Sequence, residues 1–150
     1  MLLADWAAEI NGKLYIQGGG WSRIFLAEPA SVSLAVKILV PWDQANRPHK
    51  IEALLLDDDG KQVMIDQEEN GEVVTRALKL EGGLEVGRPP GMTPGTPIDA
   101  PLVLNFKNMD IPAGRYAWVF KIDDEEEGRV SFEVVIPETA PQALPGGETP

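Results

Sequence analysis

The sequence predicts an all-β fold, an antiparallel β-sandwich of Ig-like or jelly-roll-like type, with about eight to ten short strands and one helical turn near residues 42–47. Apolar residues alternate with polar ones over long stretches, turn dipeptides recur between those stretches, and no extended helical period appears. A closed barrel satisfies the same periodicity and stays open as an alternative.

The first segment, "LLADWAAEI", alternates Leu2, Ala4, Trp6, Ala8 and Ile10 with Asp5 and Glu9 and reads as a strand with Trp6 on its core phase. Asn11-Gly12 then makes a hairpin turn into "KLYIQ", because Asn-Gly accepts the positive φ of a type I′ turn. Three glycines, Gly18 to Gly20, precede Trp21. Further on, Val32, Leu34, Val36, Ile38 and Val40 alternate strictly, the pattern of a strand with one face in a core. "PWDQANRPH" holds the helical turn, started by Pro41 and stopped by Pro48.

"HKIEALLLDD" reads as a strand buried on both faces, and Asp59-Gly60 as a hairpin with "KQVMI" returning beside it. Asn70-Gly71 starts "EVVTRALKLEGGLEV", where Gly82 and Gly83 suggest a bulge or bend. Gly87 to Pro97 is a proline- and glycine-rich loop. Leu102, Leu104 and Phe106, then Tyr116, Trp118, Phe120 and Ile122, then Val130, Phe132, Val134 and Ile136 complete the alternating set. Residues 1–137 form the expected domain, and 138–150, rich in proline without apolar periodicity, a disordered tail.

Composition narrows the function classes. The chain has 150 residues and no cysteine, so it has neither a disulfide framework nor a Cys-based zinc site. "MLLADWAAEING" lacks a basic leader and no apolar run is long enough to span a bilayer, which favours a cytoplasmic protein with no membrane partner. The formal charge is −11, and all of the acidic excess lies after residue 50. Such a surface repels polyphosphate, so nucleic acid is not expected as a partner.

The glycine triplet is no phosphate cradle: a dinucleotide fingerprint needs a helix after it, whereas Trp21, Arg23 and Phe25 continue as a strand. It reads as a bend that needs positive φ. The acidic turns Asp57–Asp59 and Asp123–Glu127 would offer calcium ligands only if they met at one end of the fold; otherwise they are solvated hairpin tips. His49 is the single histidine, insufficient for a multi-His metal site, and is expected to bond the preceding turn. No metal or cofactor is expected. Trp21, Arg23, Trp42 and Arg47 are the best candidates for a recognition patch, since amphipathic aromatics and arginine concentrate at interfaces.

Several blocks, "GKLYIQGGGW", "VPWDQANRPHK" and "IPAGRYAWVF", resemble in the same order an uncharacterised family of small bacterial β-sandwich proteins. The resemblance spans about residues 2–136, implies a β-sandwich, and brings no catalytic residue with it. Together these observations predict a non-catalytic interaction or structural accessory module, binding a protein partner or itself. The alternative is a small-ligand or carbohydrate-type binder using aromatic loops. A metal-dependent hydrolase is weakest, for want of His and Cys ligands.

Overall fold

The computed structural model describes residues 1–138. It contains eleven strands: β1 (Leu2–Ile10), β2 (Lys13–Gly19), β3 (Arg23–Phe25), β4 (Ala30–Val40), β5 (His49–Asp57), β6 (Met64–Glu69), β7 (Glu72–Ala77), β8 (Lys79–Leu84), β9 (Ile98–Met109), β10 (Gly114–Ile122) and β11 (Glu125–Val135). Among the described residues the one helical element is a 3₁₀ turn, Trp42–Gln44, shorter than the turn expected over 42–47. The all-β class holds.

The strands form a four-stranded sheet, β2-β1-β4-β9, a five-stranded sheet, β3-β11-β10-β5-β8, and the separate hairpin β6-β7. All pairings are antiparallel except β3 against β11. Alternation places the core. Val32, Leu34, Val36, Ile38 and Val40 from β4 share one apolar cluster with Leu55, Trp118, Phe120, Phe132 and Val134 from the five-stranded sheet. Trp118 is fully buried at its centre and stacks on Phe106, with ring centroids 4.1 Å apart. Among the described residues its indole Nε1 has no partner, a cost of about 1–3 kcal/mol that the ring's large buried area offsets.

At the start of β10, the Tyr116 hydroxyl donates a 2.7 Å hydrogen bond to the Pro112 carbonyl, and its ring stacks on Phe132. This ties the β9–β10 connection to the core.

Turn chemistry follows the sequence at Asn11-Gly12 and Asn70-Gly71, where all four residues have positive φ and close two-residue hairpins. The Asp59-Gly60 hairpin is only begun. Asp57 Oδ1 accepts the Asp59 and Lys61 amides, and Leu56 bridges Gln62, but β6 then leaves to pair with β7. The reason is occupancy: β8 already holds the β5 edge from His49 to Leu54. Gly82 and Gly83 pair with Ile51 and Lys50 in regular register, so the expected bulge is absent there.

Trp6 is also not in the core. It is 50% exposed: burial along β1 changes phase after Ala4, while the β1–β2 register runs on unshifted. Ala4 and Ala7, three residues apart, share a small cluster with Ala35, Leu2 and Val103, and the change of phase turns Trp6 and Ile10 outward. Gly18 marks the same point on β2: its φ is +61°, and a Cβ there would collide with the Asp5 carboxylate. The Gly20 amide then bonds Leu3 O at 2.7 Å as the chain crosses to β3 in the other large sheet. The triplet is the bend expected of it. The proline-rich tail falls outside the described residues.

Candidate functional site

The site arises from two strands that, among the described residues, lack a neighbour over part of their length. β4 pairs with β9 from Ala30 to Val40, but on its other side β1 pairs only with Ser33 to Ala35. β11 pairs with β10 throughout, but on its other side β3 pairs only with Glu133 to Val135. The same flank of the molecule is therefore closed at one end by β1 and β3 and open at the other.

The open end holds a cleft of about 620 Å³. Val36, Ile38, Val40, Phe120 and Ile122 form its apolar floor. Glu125 and Glu127 stand at the rim, on the segment where a bulge between Phe120 and Lys121 interrupts the β10–β11 register. A bulge kinks its strand and re-aims side chains. Among the described residues neither glutamate has an ion-pair partner. Lys37, also on the lining, pairs with Asp99 at 3.2 Å.

His49 closes the inner end of the cleft, with a side chain only 11% exposed. Its Nδ1 lies 2.7 Å from Asp123 Oδ2 and its Nε2 lies 2.9 Å from the Gln44 carbonyl. Both partners are acceptors, so satisfying both requires a proton on each nitrogen, the imidazolium form. The hydrogen bond to Asp123, then that to Gln44, raises the His49 pKa above 6.5 against the opposing effects of burial and of Arg47. Conversely, His49, followed by the Lys50 amide, holds the Asp123 carboxyl below 3.8. Asp123 and Asp124 have φ of 50° and 68°, and Asp124 reaches Lys50 Nζ at 3.2 Å. His49 thus pins the 3₁₀ turn to the β10–β11 turn. With both nitrogens committed it offers no lone pair to act as a base.

The four residues read from the sequence do not form one patch. Trp21 packs edge-on against Phe132, and Arg23 pairs with Glu133 at 3.2 Å, both at the β3 end of the flank. Trp42 and Arg47 lie around the 3₁₀ turn, at the His49 end. Glu133 pairs with Arg115 near the start of β10, whereas Asp123 follows its last residue, Ile122. At about 3.3 Å per residue, the length of β10 separates the two pairs by roughly 25 Å. The acidic turns are separated in the same way, since Asp57 pairs with Tyr116. Among the described residues no group of three or more His, Asp or Glu is disposed to hold a metal ion.

Sequence reasoning missed two partners. In the sequence Asp123 is one member of an acidic run, and Arg88 sits in a proline-rich loop with no motif around it. The Arg88 guanidinium covers the Trp42 ring at 4.7 Å and donates to the Trp42 carbonyl at 2.8 Å. Both are long-range contacts that no local spacing signals.

The sequence matches the Family of unknown function (DUF6941) over residues 1–135. The chain belongs to that family. No curated protein matches it. Among solved structures it is similar to the Pseudomonas fluorescens alkylpurine DNA glycosylase AlkC, bound to DNA containing an abasic site analog. The likeness has 14% identity and a TM-score of 0.41, and covers 75% of this chain but only 27% of that one. A likeness of that size assigns no activity. The exclusion of nucleic acid drawn from net charge does not stand, because net charge describes the whole surface rather than any one face. Among the described residues no helix is long and apolar enough to cross a membrane.

Proposed function

We propose that the chain is a binding module of Ig-like β-sandwich type, without chemistry of its own, and that the open flank between β4 and β11 is its binding site. Three features support the Ig-like type. The two larger sheets contribute to one core, the N-terminal region divides between them through β1 and β3 with β3 parallel to β11, and Tyr116 bonds back to the backbone at a corner before a central strand.

The observation that carries the functional reading is the flank itself. Among the described residues no strand lies beside β11 ahead of Glu133, and that edge borders an apolar cleft, where a partner can both pair and bury apolar surface. The absence of chemistry rests on His49, whose two nitrogens are both engaged.

Hydrogen exchange of the purified protein, alone and with fractions of an extract from its source cells, tests this. Slowed exchange at residues 36–40 and 125–128 is expected. Slowing confined to the β2 edge or to the Asp57–Gly60 turn would sink the assignment of the site. Turnover of a substrate that His49→Gln abolishes would sink the non-catalytic reading.

A further inference from the structure

We infer that His49 is a pH-operated latch on the 3₁₀ turn. When its imidazolium loses a proton to solvent, the peptide unit of Gln44 and Ala45 swings its carbonyl away, while the bond to Asp123 is kept. The latch is independent of the binding-module reading.

Geometry decides which proton leaves. Nδ1 lies 2.7 Å from the Asp123 carboxylate, Nε2 lies 2.9 Å from the Gln44 carbonyl, and the side chain is 11% exposed. A neutral imidazole has one N–H and one lone pair, so it serves only one of these two acceptors. A carboxylate is the stronger acceptor of the two. Asp123 is also fixed to β5 in both directions: its amide bonds the Lys50 carbonyl at 2.9 Å, and its Oδ1 accepts the Lys50 amide at 2.9 Å. The proton on Nδ1 therefore stays. The Nε2 lone pair is left against a carbonyl oxygen, an opposition of two acceptors with little water to relieve it, and the movable one leaves.

The carbonyl is the movable one. The amide of the same peptide unit, on Ala45, makes the longer bond of the turn, 3.4 Å to the Trp42 carbonyl against 2.9 Å from the Gln44 amide to Pro41. The turn has no side-chain cap. What flanks the unit is held elsewhere: Arg88 donates to the Trp42 carbonyl at 2.8 Å, the Asn46 amide bonds Val86 at 2.7 Å, and the Ala45 methyl is buried in the main core. The peptide plane rotates between fixed Cα atoms and gives up only the 3.4 Å bond.

The surrounding charges set where the latch opens. Glu125 and Glu127 on β11 and Lys37 on β4 line the same cleft, and Lys37 is paired with Asp99. Arg47 follows the turn, Lys50 on the histidine's own strand is paired with Asp124, and β8 places the apolar Leu84 opposite. Asp43 of the turn lines a separate hollow with Pro41 and Pro97. The bond to Asp123, then that to Gln44, outweighs burial and Arg47 and raises the His49 pKa above 6.5. The latch is therefore closed below 6.5 and opens as pH rises through the raised value. Gln44, His49, Leu84 and Asp123 share the lining of the cleft, so the latch acts on its inner end.

The test titrates the full chain from about pH 5 to pH 9, the range in which histidine changes charge, by NMR of the ring nitrogens and by amide exchange. The neutral ring should carry its proton on Nδ1. Protection of the Ala45 amide should fall through the same midpoint by about tenfold, the equivalent of one charge-assisted hydrogen bond. Protection at residues 53–56, inside the β5–β10 pairing, should hold. Asp123→Asn should lower the midpoint, and His49→Gln should remove the pH dependence at Ala45. A neutral ring protonated on Nε2, or a titration that leaves Ala45 unchanged, would overturn the latch. An equal loss of protection at residues 53–56 would overturn it too, since the event would then be global unfolding. The ring proton and the Ala45 amide are both read on the unaltered protein, so a variant that fails to fold does not spare the inference.

Discussion

The two ends of the β4–β11 flank are built from the same strands and end in different states. At one end β1 pairs with Ser33 to Ala35 and β3 with Glu133 to Val135, and the side chains beneath, Leu3, Leu34, Phe132 and Val134, are buried. At the other, the same two strands run on with no outer neighbour among the described residues, and the apolar floor opens into a cleft lined also by Met1. The closed end is held by apolar packing and main-chain pairing. The open end is held by a charged tie, His49 to Asp123, which joins its rim without filling it. A flank sealed at one end only acquires a rigid wall and a vacant edge together.

The largest effect that probes this contrast is at the core both ends share. Trp118→Ala should cost about 3–5 kcal/mol and lower the denaturant midpoint accordingly, since the ring is fully buried and stacked on Phe106. A loss below about 1 kcal/mol would show that the two sheets do not depend on a common core. Gly18→Ala should cost about 1–3 kcal/mol, from the positive φ and the collision with Asp5. Adding Asp5→Ala should recover the steric part and leave the backbone part, as read by urea unfolding of the single and double variants.

At the closed end, Tyr116→Phe should cost about 1 kcal/mol through loss of the bond to Pro112, with little change in hydrogen exchange at residues 36–40. At the open end the tie is tuned by pH. His49 has a folded pKa above its unfolded value of 6.5, so its stabilisation is fully present below 6.5 and is lost as pH rises through the raised value. Asp123 has a folded pKa below 3.8, so its contribution is present above 3.8 and is lost as pH falls through the lowered value. The tie is therefore strongest between about pH 4 and 6.5. Thermal unfolding should show stability falling from pH 6 to pH 8, and His49→Gln should remove that slope while leaving the Tyr116→Phe increment unchanged. The smallest effect is at Arg88→Ala, which uncovers the Trp42 ring: less than about 1 kcal/mol, with altered Trp42 fluorescence.

Much of the closed end was legible in the sequence. Period-two alternation in β4, β10 and β11 marked the residues of the shared core, although Ser33, Ala35, Ala117 and Val119 on the opposite faces of β4 and β10 are buried as well. Asn11-Gly12 and the Gly18–Gly20 bend were legible because positive φ leaves a residue signature. The open end was not. Its apolar floor reads from the sequence as ordinary core, since alternation reports which face is buried and not whether a strand edge has a neighbour. The patch of Trp21, Arg23, Trp42 and Arg47 failed to assemble for a related reason: residue type marks an interface-forming side chain but not which end of a strand it occupies.

By itself, then, the sequence determined the all-β class, the positions of most turns and the inward face of the long strands. Those follow from local backbone preferences and from the period of burial, both written in neighbouring residues. The tertiary structure alone decided that His49 meets Asp123 across 74 positions, and that β6 leaves β5 because β8 holds its edge. Each is a competition between distant segments for one edge or one partner, and its outcome depends on which segment arrives there in space.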